Sequence, residues 1–194
     1  MQTTATAEAS TFPRLLLKHA TERPGAPAMR EKEYGIWQTR SWADMATLVE
    51  HLACGLHQAG LQRGEHMIVV GANRPRLSAT MLAAQALGAI PVPLYQDAAA
   101  AECVFPITNA EVRFCLVEDQ EQVDKMLEVR ESCPQLAHIY YDDPRGLRNY
   151  HEAGLTALDD LLTAGKSFAA SHPTFFKDEV AKAHATDVAA MFFT

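Results

Sequence analysis

The clearest pattern of apolar and polar positions lies in residues 66–95. A short apolar run without alternation, residues 67–70, is typical of a strand buried on both faces. The run breaks at Gly71, and the next stretch is apolar almost all round, which predicts a buried helix that ends at Gly88. A second strand is predicted to start at Ile90. This order predicts a βαβ unit with two parallel strands and a right-handed crossover.

The residues before this unit predict two helices and a hairpin. A short helix is predicted over residues 11–20. Tyr34 and Gly35 separate two short extended segments, which indicates a β-hairpin. The clearest amphipathic helix of the sequence begins at Ser41, where Ser41 and Asp44 resemble a capping box.

Residue types also predict how two later helices begin. Asn73 is a candidate N-cap, and Pro75 suits a first helical turn because its missing N–H would have no partner there. Asp97 can cap a helix over residues 98–109. Pro106 removes a backbone donor inside that helix, so we expect a kink or an early end there.

The second half of the chain continues the alternation of strands and helices. Residues 112–117 and 136–141 predict strands, and a helix with acids in its first turn lies between them. Strands that begin about 22 to 25 residues apart, with helices between, indicate an α/β fold with an open, mostly parallel sheet flanked by helices. The remaining predicted elements are a loop and two short helices: residues 142–154, 156–162 and 173–183.

Residues 188–193 predict one more buried strand, at whose end the sequence stops. Ligands of open α/β sheets bind beyond the carboxyl ends of the strands. We therefore expect the chain to be a fragment that lacks the loop where chemistry would take place. A last strand without a neighbour would leave an exposed edge, which predicts a homodimer through the sheet edge.

Composition and charge exclude several function classes. The 194 residues are 48% hydrophobic with a net charge of −7, so bulk charge attracts neither nucleic acid nor an anionic membrane. No apolar run approaches the roughly 20 residues of a membrane span. Residues 1–10 lack a secretory pattern and are predicted to be disordered, followed by one domain portion over 11–194. The cysteines have irregular spacing, which favours reduced thiols in a cytoplasmic protein: Cys54, Cys103, Cys115 and Cys133.

One segment has the position of a phosphate-binding loop. Residues 71–75 follow a strand and precede a helix, where backbone N–H groups could hold a phosphate. A single glycine fits a tight turn and helix cap better than a phosphate loop. Arg74 and Arg76 could meet an anion there, but we favour solvated positions at the start of the helix.

No metal or acid–base constellation emerges from the residues. His51 and His57 are six positions apart, so they do not share a helix face as a ligand pair would. Asp142 and Asp143 precede a proline, and a turn explains them better than a metal site. The acids of residues 118–121 are typical of a charged helix start. We therefore assign no catalytic residue and no metal ligand to this chain.

Five segments follow one another in a specific order: SWADM, GLHQAGLQRGEHMIVVGANRP, MLAAQALGAIPVPLYQDAAAAE, AEVRFCLVEDQEQVDKMLEV and DVAAMFFT. Together, over about residues 12–194, they resemble the N-terminal part of the large domain of an adenylate-forming (AMP-binding) acyl-CoA synthetase. PVPLYQD, and VEDQEQVDKMLEV followed by HIYYDDPRGL, most resemble the long-chain fatty acid–CoA ligases. Pro106 departs from the family's usual unbroken helix.

The resemblance implies a two-step reaction in a longer parent enzyme. A fatty acid carboxylate attacks the α-phosphate of ATP, with Mg²⁺, to give an acyl-adenylate and pyrophosphate. The thiol of CoA then displaces AMP to give the thioester. Such catalysis depends on positioning and charge neutralisation.

The resemblance also implies where the nucleotide would bind. The family's phosphate loop follows a strand that ends in an aromatic residue and a threonine, and Phe193 and Thr194 match this lead-in. Thr194 is therefore the candidate nucleotide-binding residue. The adenine-binding motifs, the acyl tunnel and the catalytic lysine are expected downstream.

Three functional hypotheses follow. The chain is the N-terminal segment of a long-chain fatty acid–CoA ligase, inactive by itself and binding no ATP, Mg²⁺ or CoA tightly. Alternatively, it is a stand-alone α/β module that binds a nucleotide or an acyl group. A third hypothesis, compatible with the first, is a structural piece that dimerises.

Overall fold

The computed structural model describes residues 11–193. The predicted disorder of residues 1–10 lies outside them, as does Thr194. The described helices are α1 Phe12–Glu22, α2 Trp42–Gln58, α3 Pro75–Ala86, α4 Ala100–Asn109, α5 Gln120–Glu128, α6 Leu158–Ser171 and α7 Phe175–Ala181. The described strands are β1 Pro27–Glu33, β2 Ile36–Ser41, β3 His66–Val70, β4 Ile90–Leu94, β5 Phe114–Val117, β6 His138–Tyr141 and β7 Leu155–Ala157.

Five of the strands form a parallel sheet in the order β4-β3-β5-β6-β7. Strand β3 lies between β4 and β5, with Ile68 opposite both Val92 and Cys115. Strands β1 and β2 form a separate antiparallel hairpin, whose turn holds Tyr34 and Gly35 at φ values of 48° and 81°. The predicted α/β fold with an open, mostly parallel sheet is confirmed, and so is the hairpin.

Successive side chains of β3 enter two different cores, because the side chains of a strand alternate between its faces. Met67 and Val69 pack with α1, α2, α3, α6 and α7 on one side of the sheet. Ile68 and Val70 pack with α4 and α5 on the other side. Burial on both faces explains why this segment of the sequence shows no polar alternation.

Ser41 caps helix α2 as predicted. Its Oγ accepts a hydrogen bond from the Asp44 N–H at 3.1 Å, and the Asp44 carboxylate accepts one from the Ser41 N–H at 2.9 Å. Hydrogen bonds from the Ser41 hydroxyl and N–H lower the pKa of Asp44 because they favour the charged carboxylate. The capping box is confirmed, with aspartate in the place usually taken by glutamate.

Helices α2 and α6 cross where neither helix carries a side chain. A Cβ atom on Gly165 would lie 1.8 Å from the carbonyl oxygen of His51. A Cβ atom on Gly55 would lie 2.5 Å from the carbonyl oxygen of Leu161. The two glycines therefore let the helix backbones approach more closely than any side chain would permit.

Two predicted helix starts are wrong. Arg74, not Asn73, is the N-cap residue of α3, and α4 begins after Ala99 rather than Asp97. The Glu102 carboxylate accepts a hydrogen bond from the Ala99 N–H at 2.8 Å. This bond satisfies a donor at the helix start, so the first turn forms two residues later than the aspartate predicts.

Helix α4 continues past Pro106 to Asn109, so the predicted early end is wrong. Pro106 is buried, and its packing offsets the hydrogen bond that its ring removes. The predicted helix over 156–162 is also wrong at its start. Leu155–Ala157 forms β7, too short for periodicity to reveal, and α6 follows it from Leu158 to Ser171.

Residues 188–193 do not form the predicted strand. The Met191 N–H donates to the Pro91 carbonyl at 3.0 Å, so the segment touches the open edge of β4. Pro93, two residues further along β4, faces the same way. Proline has no N–H to donate, so this edge lacks the donors that a parallel hydrogen-bond ladder requires.

All four cysteines are free and buried. Burial raises the pKa of the Cys54 thiol to about 11, with a smaller contribution from Glu50. Burial also raises the pKa of Cys103 and of Cys115. We therefore expect these three thiols to react slowly in the folded chain. Between residues 11 and 193, every helix is too short or too polar to cross a membrane.

Candidate functional site

The loops after β3 and β5 meet at the carboxyl edge of the sheet, where ligands bind in open parallel folds. Glu118, the residue after β5, directs its carboxylate to the loop after β3. The carboxylate accepts hydrogen bonds from the Ala72 N–H at 2.5 Å and from Arg74 Nε at 2.7 Å. The Glu118 N–H donates to the Val70 carbonyl at 3.0 Å, which joins the loop backbones as well.

Gly71 is required by this contact. A Cβ atom there would lie 2.7 Å from Cβ of Glu118 and 3.0 Å from its carboxylate. The residue permits a close approach of two loops, as expected for a tight turn. The Ala72 N–H, which a bound phosphate could have used, already donates to the Glu118 carboxylate.

Arg76, in the first turn of α3, connects the loop after β6 to the start of α6. Its Nε lies 2.7 Å from Asp142 Oδ1, and its Nη2 lies 2.6 Å from Asp159 Oδ1. The Arg76 side chain is only 24% exposed, so the solvated position favoured for it is wrong. Burial raises the pKa of Asp142, and the adjacent Arg76 opposes that rise.

Asp143 turns away from Asp142 and pairs with Arg145 instead. Hydrogen bonds from Arg145 lower the pKa of Asp143 because they favour the charged carboxylate. The two aspartates therefore do not converge on one point, and the turn interpretation is supported. Within residues 11–193, no three or more His, Cys, Asp and Glu side chains are grouped to hold a metal ion.

His57 of helix α2 packs against two aromatic rings. The His57 ring lies 4.5 Å from the Phe175 ring and 5.6 Å from the Phe168 ring, measured between centroids. These contacts join α2 to α6 and α7. His51 provides the carbonyl that Gly165 approaches, so its backbone marks the helix crossing.

The carboxyl edge is filled rather than open. The cavity between Ala72, Leu77, Leu116 and Glu118 has a volume of only about 10 Å³, which is room for one water molecule at most. The surrounding network contains three carboxylates and two guanidinium groups: Glu118, Asp142, Asp159, Arg74 and Arg76. Its negative balance does not favour a phosphate, and each of its carboxylates is paired with an arginine. The network holds the strand ends together.

The sequence model of one protein family, described as "AMP-binding enzyme", matches residues 16–194. The chain belongs to the AMP-binding enzyme family. The match covers most of the chain, so the predicted membership of the adenylate-forming superfamily is confirmed.

Several curated relatives carry ligase names. The long-chain-fatty-acid–CoA ligase FadD15 of Mycobacterium bovis is 24% identical over 180 residues, which are 93% of this chain and 28% of that protein. The chain thus spans about a quarter of the length of that relative. The uncharacterized protein Rv1549 of Mycobacterium tuberculosis is 30% identical over 136 residues, which are 70% of this chain and 74% of that protein.

Solved structures support the fold. The anthranilate CoA ligase AuaEII, in complex with anthranoyl-AMP, aligns with a TM-score of 0.70 over 82% of this chain and 29% of that chain. The sequence identity is 15%, so this likeness concerns the fold alone.

Sequence reasoning found the loops of the carboxyl edge but not what they do. It placed Arg74 and Arg76 at the start of a helix, which is confirmed, but it did not predict their carboxylate partners. A usable signal was present, because the acids Glu118 and Asp142 each directly follow a predicted strand, as the arginine segment does. Thr194 lies outside the described residues, and its assignment stays a prediction.

Proposed function

We propose that the chain is the scaffold portion of an AMP-forming long-chain fatty acid–CoA ligase and is inactive by itself. Two findings support the proposal. The family match extends to residue 194, and FadD15 is similar along 93% of the chain. The observation that carries the proposal of inactivity is the ion-paired carboxyl edge around Glu118, which leaves little space and already uses the Ala72 N–H.

The carboxylates at the carboxyl edge do not fit a Mg²⁺ site. Glu118 is bonded to Arg74, Asp142 faces Arg76, and Asp143 is bonded to Arg145. A magnesium ion would have to displace an arginine from each of them. ATP, Mg²⁺ and CoA would therefore be held by residues outside 11–193 in the longer enzyme, with Thr194 as the start of the phosphate loop.

The contribution of this chain to such an enzyme would be positional. The Glu118 and Arg76 contacts join the ends of β3, β5 and β6 into one rigid edge. Positioning of reactants accounts for a large part of phosphoryl and adenylyl transfer catalysis. A rigid edge would fix the loops on which the acyl carboxylate and the α-phosphate must meet.

Pyrophosphate exchange tests the proposal. The 194-residue chain, with palmitate, ATP and Mg²⁺, is expected to give no exchange of labelled pyrophosphate into ATP. The full reading frame that contains this sequence is expected to give palmitate-dependent exchange. Exchange by the 194-residue chain would contradict the proposal. Exchange by the full-length protein that does not depend on palmitate would contradict it as well.

The alternative of a stand-alone binding module remains open to test. Calorimetry with ATP, AMP and palmitate would support that alternative if the chain bound any of them with micromolar affinity. The four free cysteines fit a cytoplasmic location, which we also propose, because reduced thiols are typical of that compartment.

A homodimer through the sheet edge stays a prediction. The apolar side chains beside this edge are exposed, with Phe105 at 65% and Phe192 at 70%. The open edge of β4 nevertheless lacks donors at Pro91 and Pro93, and Met191 already occupies one of its acceptors. Light scattering at high concentration decides between a monomer and a dimer.

A further inference from the structure

The β1–β2 hairpin is separate from the five-stranded sheet and has one face towards the core and one face in solvent. Side chains of a strand alternate between its two faces. Met29 packs against the core that includes residues of α2 and α3, so its face of the hairpin is the inward one. Arg40 lies opposite Met29 across the strands, and it forms an ion pair with Glu31 at 3.8 Å on the same face.

The other face of the hairpin, its outward face, carries an exposed tryptophan beside two exposed cations. Trp37 is 64% exposed and lies directly opposite Lys32, and Arg30 is the next outward residue of β1. Both acids of the two strands, Glu31 and Glu33, lie on the inward face because they alternate with these cations. Within strands β1 and β2, the outward face therefore has two positive charges and no negative one.

Two further apolar side chains extend this surface to the tip of the hairpin. Tyr34, in the turn, is 85% exposed, and Ile36, at the start of β2, is 65% exposed. Exposed apolar side chains normally occur singly, so a group of them in residues 34–37 indicates a surface that meets an apolar partner. Aromatic rings next to Lys and Arg are typical of the boundary between lipid headgroups and acyl chains, where the rings enter the apolar layer and the cations stay beside the phosphates.

The net charge of −7 does not prevent contact with an anionic surface. Charges farther from that surface than about 8 Å are largely screened at physiological ionic strength, so the nearest charges decide. Lys32 and Arg30 occupy the direct and the diagonal cross-strand positions from Trp37, roughly 5 and 7 Å away. Each cation so close to an anionic lipid surface increases the affinity about fivefold.

We propose that the outward face of the β1–β2 hairpin docks on the surface of an anionic lipid bilayer. Tyr34, Ile36 and Trp37 enter the headgroup layer, and Arg30 and Lys32 pair with lipid phosphates. A nucleic acid or an acidic peptide would also attract the two cations, but only acyl chains remove the aliphatic side chain of Ile36 from water. Docking does not depend on the proposed acyl-CoA ligase activity.

Tryptophan fluorescence of the 194-residue chain tests the class of partner. The chain has two tryptophans, so Trp42→Phe leaves Trp37 as the single reporter. We expect vesicles that mix phosphatidylglycerol with phosphatidylcholine to cause a saturable blue shift of its emission, and added NaCl to weaken the binding. Vesicles of phosphatidylcholine alone should bind more than about tenfold more weakly. Equal binding to neutral vesicles, no blue shift, or tighter binding of single-stranded DNA or of a polyglutamate peptide would overturn the proposal.

Variants with matched charge test the cations of the outward face by vesicle sedimentation. Arg30→Gln combined with Lys32→Gln is expected to lower the affinity for the anionic vesicles about 25-fold, the product of about fivefold for each cation. The control combines Arg148→Gln with Lys177→Gln, which removes the same charge at exposed positions elsewhere and should leave the affinity unchanged. Equal losses in the two double variants would show an effect of net charge alone and would refute the assignment to the hairpin.

Aromatic substitutions test the apolar part of the same face. Trp37→Ala should lower the affinity for the anionic vesicles about tenfold or more, because the ring no longer enters the headgroup layer. Tyr95→Ala, at an exposed tyrosine outside the hairpin, should leave it unchanged. Sedimentation of the full reading frame is expected to show the same dependence on Trp37. Unaltered binding by Trp37→Ala, or no binding by the full-length protein, would overturn the proposal.

Discussion

Replacing Arg76 with leucine would leave the carboxylate of Asp142 without its closest cation. Asp142 and Arg76 have side-chain exposures of 18% and 24%, so little water replaces the lost partner. Removing one member of a buried ion pair costs about 3 to 5 kcal/mol. Because this pair is partly exposed, we expect Arg76→Leu to lower the free energy of unfolding by about 2 to 4 kcal/mol.

The pH dependence of this loss has a defined sign. The ordinary pKa of an aspartate is 3.8, and burial raises that of Asp142, an effect that Arg76 partly opposes. Without Arg76, the pKa of Asp142 in the folded state rises further above its unfolded value. The cost of the charged carboxylate is therefore absent below the unfolded pKa and fully present above the folded one. The stability difference between variant and wild type should narrow as pH falls from 7 towards 4.

Urea unfolding of four proteins measures this effect. Arg148→Leu, at an exposed arginine, is the matched control and is expected to change stability by less than about 0.5 kcal/mol. The double variant Arg76→Leu with Asp142→Asn removes the stranded charge and should recover more than half of the loss. A loss below about 1 kcal/mol for Arg76→Leu, or no recovery in the double variant, would refute the reasoning about this network.

Further predictions concern packing, capping, thiol chemistry and the sheet edge. Gly165→Ala should lower the unfolding free energy by about 2 kcal/mol or more, because its Cβ would meet the His51 backbone. Thermal unfolding of both variants measures this effect: Gly25→Ala, whose Cβ would have open space around it, should leave the free energy of unfolding unchanged. Ser41→Ala should cost about 1 kcal/mol in urea unfolding through the lost cap, and an unchanged midpoint would count against it. Cys54 should react with a disulfide reagent at pH 8 only after denaturation, and rapid labelling of the folded chain would contradict its burial. Pro93→Val restores a backbone N–H donor at the edge of β4 and should increase the average molecular mass measured by light scattering. An average mass equal to that of the wild type would argue that the prolines do not prevent pairing of this edge.

The pattern of apolar residues predicts the fold because the sheet is buried on both faces. The run through Met67 to Val70 reads as a continuous strand signal for that reason. The capping box of Ser41 and Asp44 is equally readable, since its bonds join residues three apart. Predictions of this kind succeed where the decisive interactions are local in sequence.

The contacts that sequence reasoning missed join distant residues. Arg76 pairs with Asp159, 83 positions away, and the Glu118 carboxylate bonds to the Arg74 segment, 44 positions away. No local sequence pattern predicts such pairs, so both arginines were expected to be exposed to solvent. The strand predicted over 188–193 fails for a related reason. Its apolar residues fit a strand, but the neighbour that it meets presents Pro91, whose side of β4 lacks donors.

We propose that the carboxyl edge of this chain is a structural, ion-paired scaffold and that adenylation in the longer enzyme needs residues outside 11–193. The most direct measurement is palmitate-dependent exchange of labelled pyrophosphate into ATP, made in parallel on the 194-residue chain and on its full reading frame. We expect exchange for the full frame and none above background for the chain. Exchange by the chain, at a rate that a Glu118→Gln variant alters, would refute the scaffold assignment.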